Sequence, residues 1–184
     1  MSKLILGFVG PMASGKGTAC QYLEQRYRAR SYRFSSILRD ILDRVYLPRT
    51  RDHLQQVSSV MRGAFGDDLL ARAMAHDVEA DTGKLITVDG VRRRPDITYL
   101  RSLDGFYLIG ITADEKVRFE RIKNRHENPD DAGKTFADFV REGQQEAERQ
   151  IAEVMASASF TLDNNGDFAA LYRQLDAILI QVRL

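Results

Sequence analysis

The stretch Leu4–Leu23, LILGFVGPMASGKGTACQYL, decides the fold. It begins with an apolar run of strand length, Leu4–Val9, then passes through a cluster of small residues into a pattern that predicts a helix. Glycines in such a cluster let the backbone curl so that successive N–H groups point into one concavity. The N-terminus of the following helix adds positive partial charge, so the junction is suited to binding phosphate.

The small residues also match a specific motif, G-x-x-x-x-G-K, which is followed here by Gly-Thr. The alternative is an ordinary glycine-rich turn that carries a solvated lysine. A strand before the motif and a helix after it are the context that a phosphate loop requires, and they favour that interpretation. Candidate nucleotide-binding residues are therefore Gly10, Ala13, Ser14, Gly15, Lys16, Gly17 and Thr18.

Apolar runs of strand length alternate with amphipathic stretches along the rest of the chain, which predicts a parallel sheet covered by helices on both faces. We expect one α/β domain over residues 1–184, a three-layer P-loop NTPase sandwich with a five-stranded parallel sheet. Residues 35–80 are long for one crossover and predict an inserted helical region. The predicted strands are Leu4–Val9, Ser31–Phe34, Leu85–Val88, Phe106–Ile111 and Phe160–Leu162.

Composition sets limits on partners and on location. A formal net charge of +1 over 184 residues gives no global basic field, so nucleic acid is not the expected partner. The single cysteine, Cys20, excludes an internal disulfide framework and favours a reduced compartment. Since no apolar run is long enough to span a bilayer, we expect a cytoplasmic protein without membrane association, as a monomer or a homodimer.

The segment GPMASGKGT (Gly10–Thr18) resembles the phosphate loop of nucleoside monophosphate kinases, the adenylate-kinase-like branch of P-loop proteins. The resemblance implies ATP as the phosphoryl donor, with Lys16 at its β- and γ-phosphates. It also implies Mg²⁺ held largely through water and nucleotide oxygens, near Thr18. Many other P-loop proteins place Ser or Thr directly after the lysine as a magnesium ligand, whereas this chain has Gly17.

Two further segments resemble the acceptor side of the same family. FSSILRD (Phe34–Asp40) implies that Arg39 binds the acceptor phosphate and that Ser35 contacts the acceptor. LITVDGVRRRPDITYLR (Leu85–Arg101) places Asp89 at the end of a strand, as a candidate to orient a magnesium-bound water and to contact substrate. The family's arginine corresponds here to Arg92 or Arg93, and the spacing leaves both open. This segment is also similar to a group of adenylate-kinase-like ATPases.

FERIKNRHENPDDAGKTFADFVRE (Phe119–Glu142) carries Arg121 and Arg125 on one helix face. The resemblance implies that this pair leads into a short lid, about residues 124–135, with Arg121 near adenine and Arg125 at the transferring phosphate. Arg141 is a further lid candidate. Beyond the last predicted strand, Asn165 and Gly166 form a turn that is a candidate to face adenine.

Together these features predict ATP-dependent phosphoryl transfer to a nucleoside or deoxynucleoside monophosphate. Catalysis would consist of positioning and charge neutralisation by Lys16, by arginines and by magnesium. One alternative is a P-loop kinase for another small metabolite, such as dephospho-coenzyme A. The other is a nucleotide-binding switch ATPase with weak turnover.

Overall fold

The computed structural model describes residues 3–125, 135–143 and 146–182. Within these residues, five parallel strands form one sheet in the order β2-β3-β1-β4-β5. The predicted α/β fold with a five-stranded parallel sheet is confirmed. The strands are β1 (Leu4–Val9), β2 (Arg30–Arg33), β3 (Leu85–Val91), β4 (Phe106–Thr112) and β5 (Phe160–Asp163).

Helices follow or precede each strand, and three of them lie between β2 and β3. A 3₁₀ turn, Leu100–Ser102, precedes β4. None of the helices in the described ranges has the length and apolar character that a membrane span requires. The helices are α1 (Lys16–Tyr27), α2 (Phe34–Arg44), α3 (Arg51–Phe65), α4 (Leu69–Ala80), α5 (Arg94–Thr98), α6 (Glu115–Arg125), α7 (Phe136–Gly143), α8 (Glu146–Met155) and α9 (Phe168–Gln181).

The sheet separates two apolar cores, and β1 contributes to both. Its residues Leu4, Leu6 and Phe8 face one cluster and Ile5 and Val9 face the other. Because both faces of a central parallel strand are covered, the strand reads as a continuous apolar run. The first core is filled mainly by α1 and α9, and the second by α2, α4, α5 and α8.

All five strands are parallel, so their carboxyl ends meet at one edge of the sheet. The pairs Val9↔Val91, Arg33↔Asp89 and Thr112↔Asp163 mark this edge. Strand β3 is longer than predicted: the sequence indicated an end at Val88, but Gly90, at φ +87°, lets the chain continue pairing to Val91. Strand β2 begins and ends one residue earlier than predicted, because Phe34 opens α2.

Candidate active site

The loop between β1 and α1, residues 10–15, has an unusual backbone. Ala13 and Gly15 have positive φ angles of 60° and 108°, and Ser14 is fully buried. A Cβ atom on Gly15 would lie 2.1 Å from Nδ2 of Asn164. Glycine is therefore required at this position by both conformation and space. Thr18 lies in the first turn of α1 and is half-buried.

Asn164, which follows β5, holds this loop from the neighbouring end of the sheet. Its Nδ2 donates a buried hydrogen bond of 2.7 Å to the carbonyl of Ser14. Its own carbonyl accepts a hydrogen bond of 2.8 Å from Arg121. Oδ1 of Asn164 and Oγ of Ser14 are buried without a hydrogen-bond partner among the described residues. The conformation of the loop thus depends on a residue about 150 positions away in sequence.

Lys16 begins α1, and its ammonium group lies over the loop itself. Nζ donates to the carbonyl of Gly10 at 2.6 Å and to that of Pro11 at 3.0 Å. A lysine at this position is a mobile point charge on a flexible stem. Phosphate oxygens that enter the loop would compete with these two carbonyls for the ammonium group.

Asp89 lies at the carboxyl edge of β3 and is paired with Arg33 at the end of β2. Nε and Nη2 of Arg33 each lie 3.0 Å from Oδ2 of Asp89. The other carboxylate oxygen, Oδ1, is buried without a hydrogen-bond partner among the described residues. The terminal nitrogen of Arg33 also lies 3.4 Å from where a Cβ on Gly17 would be. This arginine therefore connects the acid at the sheet edge to the start of α1.

A second buried acid, Asp96, organises the arginine-rich turn after β3. Its Oδ2 accepts hydrogen bonds from the backbone N–H groups of Arg92 at 3.0 Å and Arg93 at 2.9 Å. Its Oδ1 lies 3.6 Å from Nη2 of Arg62, on α3, and both side chains are at least nine-tenths buried. Burial lowers the pKa of Arg62, and the positive charge of Arg93 lowers it further, against the attraction of Asp96. Asp96 is thus a shared partner of Arg62 and of the backbone at Arg93.

The remaining acceptor candidates are carried by α2. Ser35 lies in its first turn and Arg39 one turn further on, and both side chains are half-buried. Strand β2, which leads into α2, lies beside β3 in the sheet. The two acceptor segments predicted from sequence therefore start from neighbouring strand ends.

On the other side of the loop, α6 supplies two arginines. Burial lowers the pKa of the Arg121 guanidinium, which is fixed by the carbonyl of Asn164. Arg118 donates to the carbonyl of Met12 at 3.2 Å, and its guanidinium lies 5.2 Å from the ring centre of Phe139 on α7. These contacts join the phosphate loop to the helix that leads toward the predicted lid.

Other predicted site residues are less directly connected. Arg141 is largely exposed and pairs with Asp138, one turn earlier on α7, at 2.5 Å. Asn165 accepts a 2.7 Å hydrogen bond from the N–H of Asp114, and Gly166 follows it in the turn before α9. The side chain of Arg125 and residues 126–134 of the predicted lid lie outside the described residues.

Sequence reasoning missed several residues that shape this edge. The Arg-Pro-Asp pattern that begins α5 is a helix-start signal that points to Asp96. The others gave no local signal, because each acts through a partner distant in sequence. They are Arg33, Arg62, Arg118 and Asn164.

The resemblance implies magnesium, and the donor groups near the loop test that implication. Gly17 offers no hydroxyl, and one oxygen of Asp89 is already bound by Arg33. Within residues 3–125, 135–143 and 146–182, no cluster of three or more His, Cys, Asp or Glu side chains could hold a metal ion. The donors that remain, the hydroxyl of Thr18 and Oδ1 of Asp89, are too few to hold an ion on their own. A magnesium ion here would therefore take most of its ligands from water and from the oxygens of a bound nucleotide.

A family model described as AAA domain matches residues 6–150, more than half of the chain. The chain belongs to this AAA domain family. Relatives include a UPF0200 protein of Staphylothermus marinus, 28% identical over 77% of this chain and 74% of its own length. A UPF0200 protein of Methanocaldococcus jannaschii is 25% identical over 97% of this chain and 90% of its own.

Solved structures share the fold of this AAA domain. A shikimate kinase from Bacteroides thetaiotaomicron aligns with a TM-score of 0.66 at 14% identity, covering 98% of this chain and 99% of that one. TT1252 from Thermus thermophilus aligns with a TM-score of 0.60 at 15% identity over 98% of both chains. The chain therefore has a P-loop kinase-like fold, and such a fold implies nucleotide binding.

Proposed function

We propose that this protein transfers the γ-phosphoryl group of ATP to a nucleoside or deoxynucleoside monophosphate. The donor side of the proposal is supported by the loop of residues 10–15, with Lys16 over it and α1 behind it. The P-loop kinase-like fold supports phosphotransfer more broadly. The acceptor side is supported by the arginines that follow β3.

The observation that carries the acceptor is the turn of Arg92 and Arg93. A buried carboxylate, that of Asp96, binds both of their backbone N–H groups and also faces Arg62. A turn fixed in this way presents guanidinium groups without a further loss of backbone entropy when an anion binds. Arginine forks match the geometry of phosphate oxygens. We infer that this turn and Arg39 bind the acceptor phosphate.

Phosphoryl transfer between two phosphates needs little covalent chemistry from the protein. The acceptor phosphate is already ionised near neutral pH, so no general base is needed. Lys16 would follow the charge that develops on the β- and γ-phosphate oxygens, and Arg121 would lie between the loop and the nucleotide base. These side chains align donor and acceptor and neutralise charge, which are the contributions that this reaction requires.

A hydroxylated acid is the second candidate acceptor. The fold is shared with a shikimate kinase from Acinetobacter baumannii solved in complex with shikimate, at a TM-score of 0.57 and 15% identity. Arginines bind carboxylates as readily as phosphates, so the turn at Arg92 and Arg93 suits such an acceptor as well. A switch ATPase, in contrast, would show no acceptor-dependent turnover.

The test is ADP formation from ATP with a panel of ribo- and deoxyribonucleoside monophosphates, shikimate and dephospho-coenzyme A. We expect one nucleotide class to raise turnover well above the rate without acceptor. Arg92→Ala and Arg93→Ala should raise the acceptor KM, one of them by roughly tenfold or more, with the KM for ATP unchanged. Arg101→Ala is the matched control, since Arg101 binds Ser157 near the opposite edge of the sheet. The proposal is contradicted if none of the nucleoside monophosphates raises turnover above the rate measured without acceptor.

A further inference from the structure

The pairing of Arg33 with Asp89 is unexpected at a phosphate site. An acid at the end of the strand beside a phosphate loop is the residue expected to serve a metal ion, and here a guanidinium covers one of its oxygens. The pair is largely buried on the acid's side, since the side chain of Asp89 is only 9% exposed. A buried carboxylate requires a charged or hydrogen-bonding partner, and β2 supplies it within the sheet.

The position of Arg33 relative to α1, more than the ion pair itself, relates this arginine to the place where phosphate would bind. Its Nη2 lies 3.4 Å from the place that a Cβ on Gly17 would take, so a side chain at position 17 would begin in van der Waals contact with the guanidinium. Position 17 follows the motif lysine, where other P-loop proteins carry the hydroxyl that binds magnesium. In this chain the hydroxyl is missing, and a guanidinium nitrogen lies near the place where that side chain would begin. Phosphate would bind at the first turn of α1, because the first N–H groups of a helix have no partner within the helix itself.

We propose that Arg33, anchored by Asp89, is a fixed cation of the nucleotide-phosphate site and supplies charge that a protein-bound metal ion supplies in other P-loop proteins. Asp89 is then the residue that positions Arg33. An arginine is suited to this role because it remains charged when partly buried and has five N–H donors in a rigid fork. This inference depends on the proposed function only in placing the phosphates of ATP in the loop.

The test measures binding of the β,γ-imido analogue of ATP by calorimetry, with excess Mg²⁺ and with EDTA. The wild-type protein should bind the metal-free analogue. Arg33→Met should weaken metal-free binding by roughly 10- to 100-fold, the usual effect of losing a charge-assisted hydrogen bond. With excess Mg²⁺ the loss should be within about threefold, because the ion then supplies the charge.

Two further variants keep the test interpretable. Removal of Arg33 alone leaves the buried charge of Asp89 unpaired, which destabilises the fold. The double variant Arg33→Met with Asp89→Asn removes both charges and should show the same loss of metal-free binding. Arg30→Met is the matched control: Arg30 begins the same strand, pairs with Asp81 at 3.1 Å, and lies at the opposite edge of the sheet.

The proposal is overturned if the Arg33 variants bind the metal-free analogue like the wild type. It is equally overturned if they lose the same factor with and without Mg²⁺, or if the Arg30 variant loses as much. Failure of the proposed function gives a different result, in which the analogue binds but no nucleotide acceptor supports turnover. The role of Arg33 in binding would stand in that case.

Discussion

Asn164 offers the sharpest test of how the phosphate loop is held. It is 3% exposed, and its side chain contributes one buried hydrogen bond, of 2.7 Å, to the carbonyl of Ser14. In Asn164→Ala this carbonyl loses its side-chain partner, at a cost of about 1–3 kcal/mol. The variant also removes Oδ1, which is buried without a partner among the described residues, and this recovers part of the cost. The bond from Arg121 survives because it reaches the backbone carbonyl.

We therefore expect Asn164→Ala to lower the free energy of unfolding by about 1–2 kcal/mol. At this chain length, 184 residues, the corresponding decrease in Tm is roughly 2–8 °C. The affinity for the imido analogue of ATP should fall by roughly tenfold, because the loop would have to be ordered on binding. Urea unfolding and calorimetry measure the two effects on the same preparations.

Asn165→Ala is the matched control for the unfolding measurement alone, because Asn165 is itself a candidate to face adenine. Asn165 is the next residue, and the hydrogen bond that it accepts from the N–H of Asp114 is exposed to solvent. Water replaces an exposed partner, so the control should lose less than about 1 kcal/mol. The reasoning is refuted if Asn164→Ala has the free energy of unfolding of the wild type and the same affinity for the imido analogue of ATP. Equal losses in the two variants would show that the turn as a whole, not the buried amide, supports the loop.

Two other outcomes are expected. Lys16→Ala should lower turnover by two or more orders of magnitude, since losing a fixed charge at a developing anion costs roughly 3–4 kcal/mol; wild-type ADP formation would exclude the loop as the donor site. Asp81 is buried, which raises its pKa, but hydrogen bonds from Tyr32 and Gly83 and the nearby Arg30 outweigh this and lower it below the usual value. A lowered pKa adds stability that is present above about pH 4 and is lost as the pH falls through the folded-state value. Asp81→Asn should thus be less stable than the wild type in urea near neutral pH, and the difference in free energy of unfolding should shrink in acid. A difference that stays constant with pH would contradict this role of Asp81.

Local sequence pattern was sufficient to predict the α/β fold and to locate the phosphate loop. The apolar run of β1 and the motif at residues 10–18 can each be recognised within a few residues, although the conformation of the loop also depends on Asn164. Pairings between distant residues could not be predicted in this way. Turn chemistry located the bend after β5 and favoured Asn165 and Gly166, but propensity does not say which side chain of a turn is buried, and the buried one is Asn164.

The arginines also show that local pattern does not predict pairings between residues distant in sequence. Their number near acceptor motifs suggested a phosphate site, but Arg33 was interpreted only as a residue of a short strand. Its partner becomes visible once β2 and β3 are aligned with Arg33 opposite Asp89. The roles of Arg39, Arg121 and Arg141 remain predictions, and Arg125 and residues 126–134 lie outside the described part of the chain.

The buried acids suggest how a nearly neutral chain can form the anion site that we propose. Asp89 and Asp96 are 6% and 2% exposed, and each binds groups of an arginine-bearing segment, Arg33 in one case and the turn at Arg92 in the other. A buried carboxylate without partners would be costly, so each acid fixes the position of its cationic partner before any substrate arrives. The fold thereby positions the guanidinium of Arg33 and the backbone of Arg92 and Arg93. The phosphate binding that we propose for them therefore does not depend on the net charge of +1. For this reason the overall charge carries no information about the proposed anionic ligand, whereas the positions of the two buried aspartates support it.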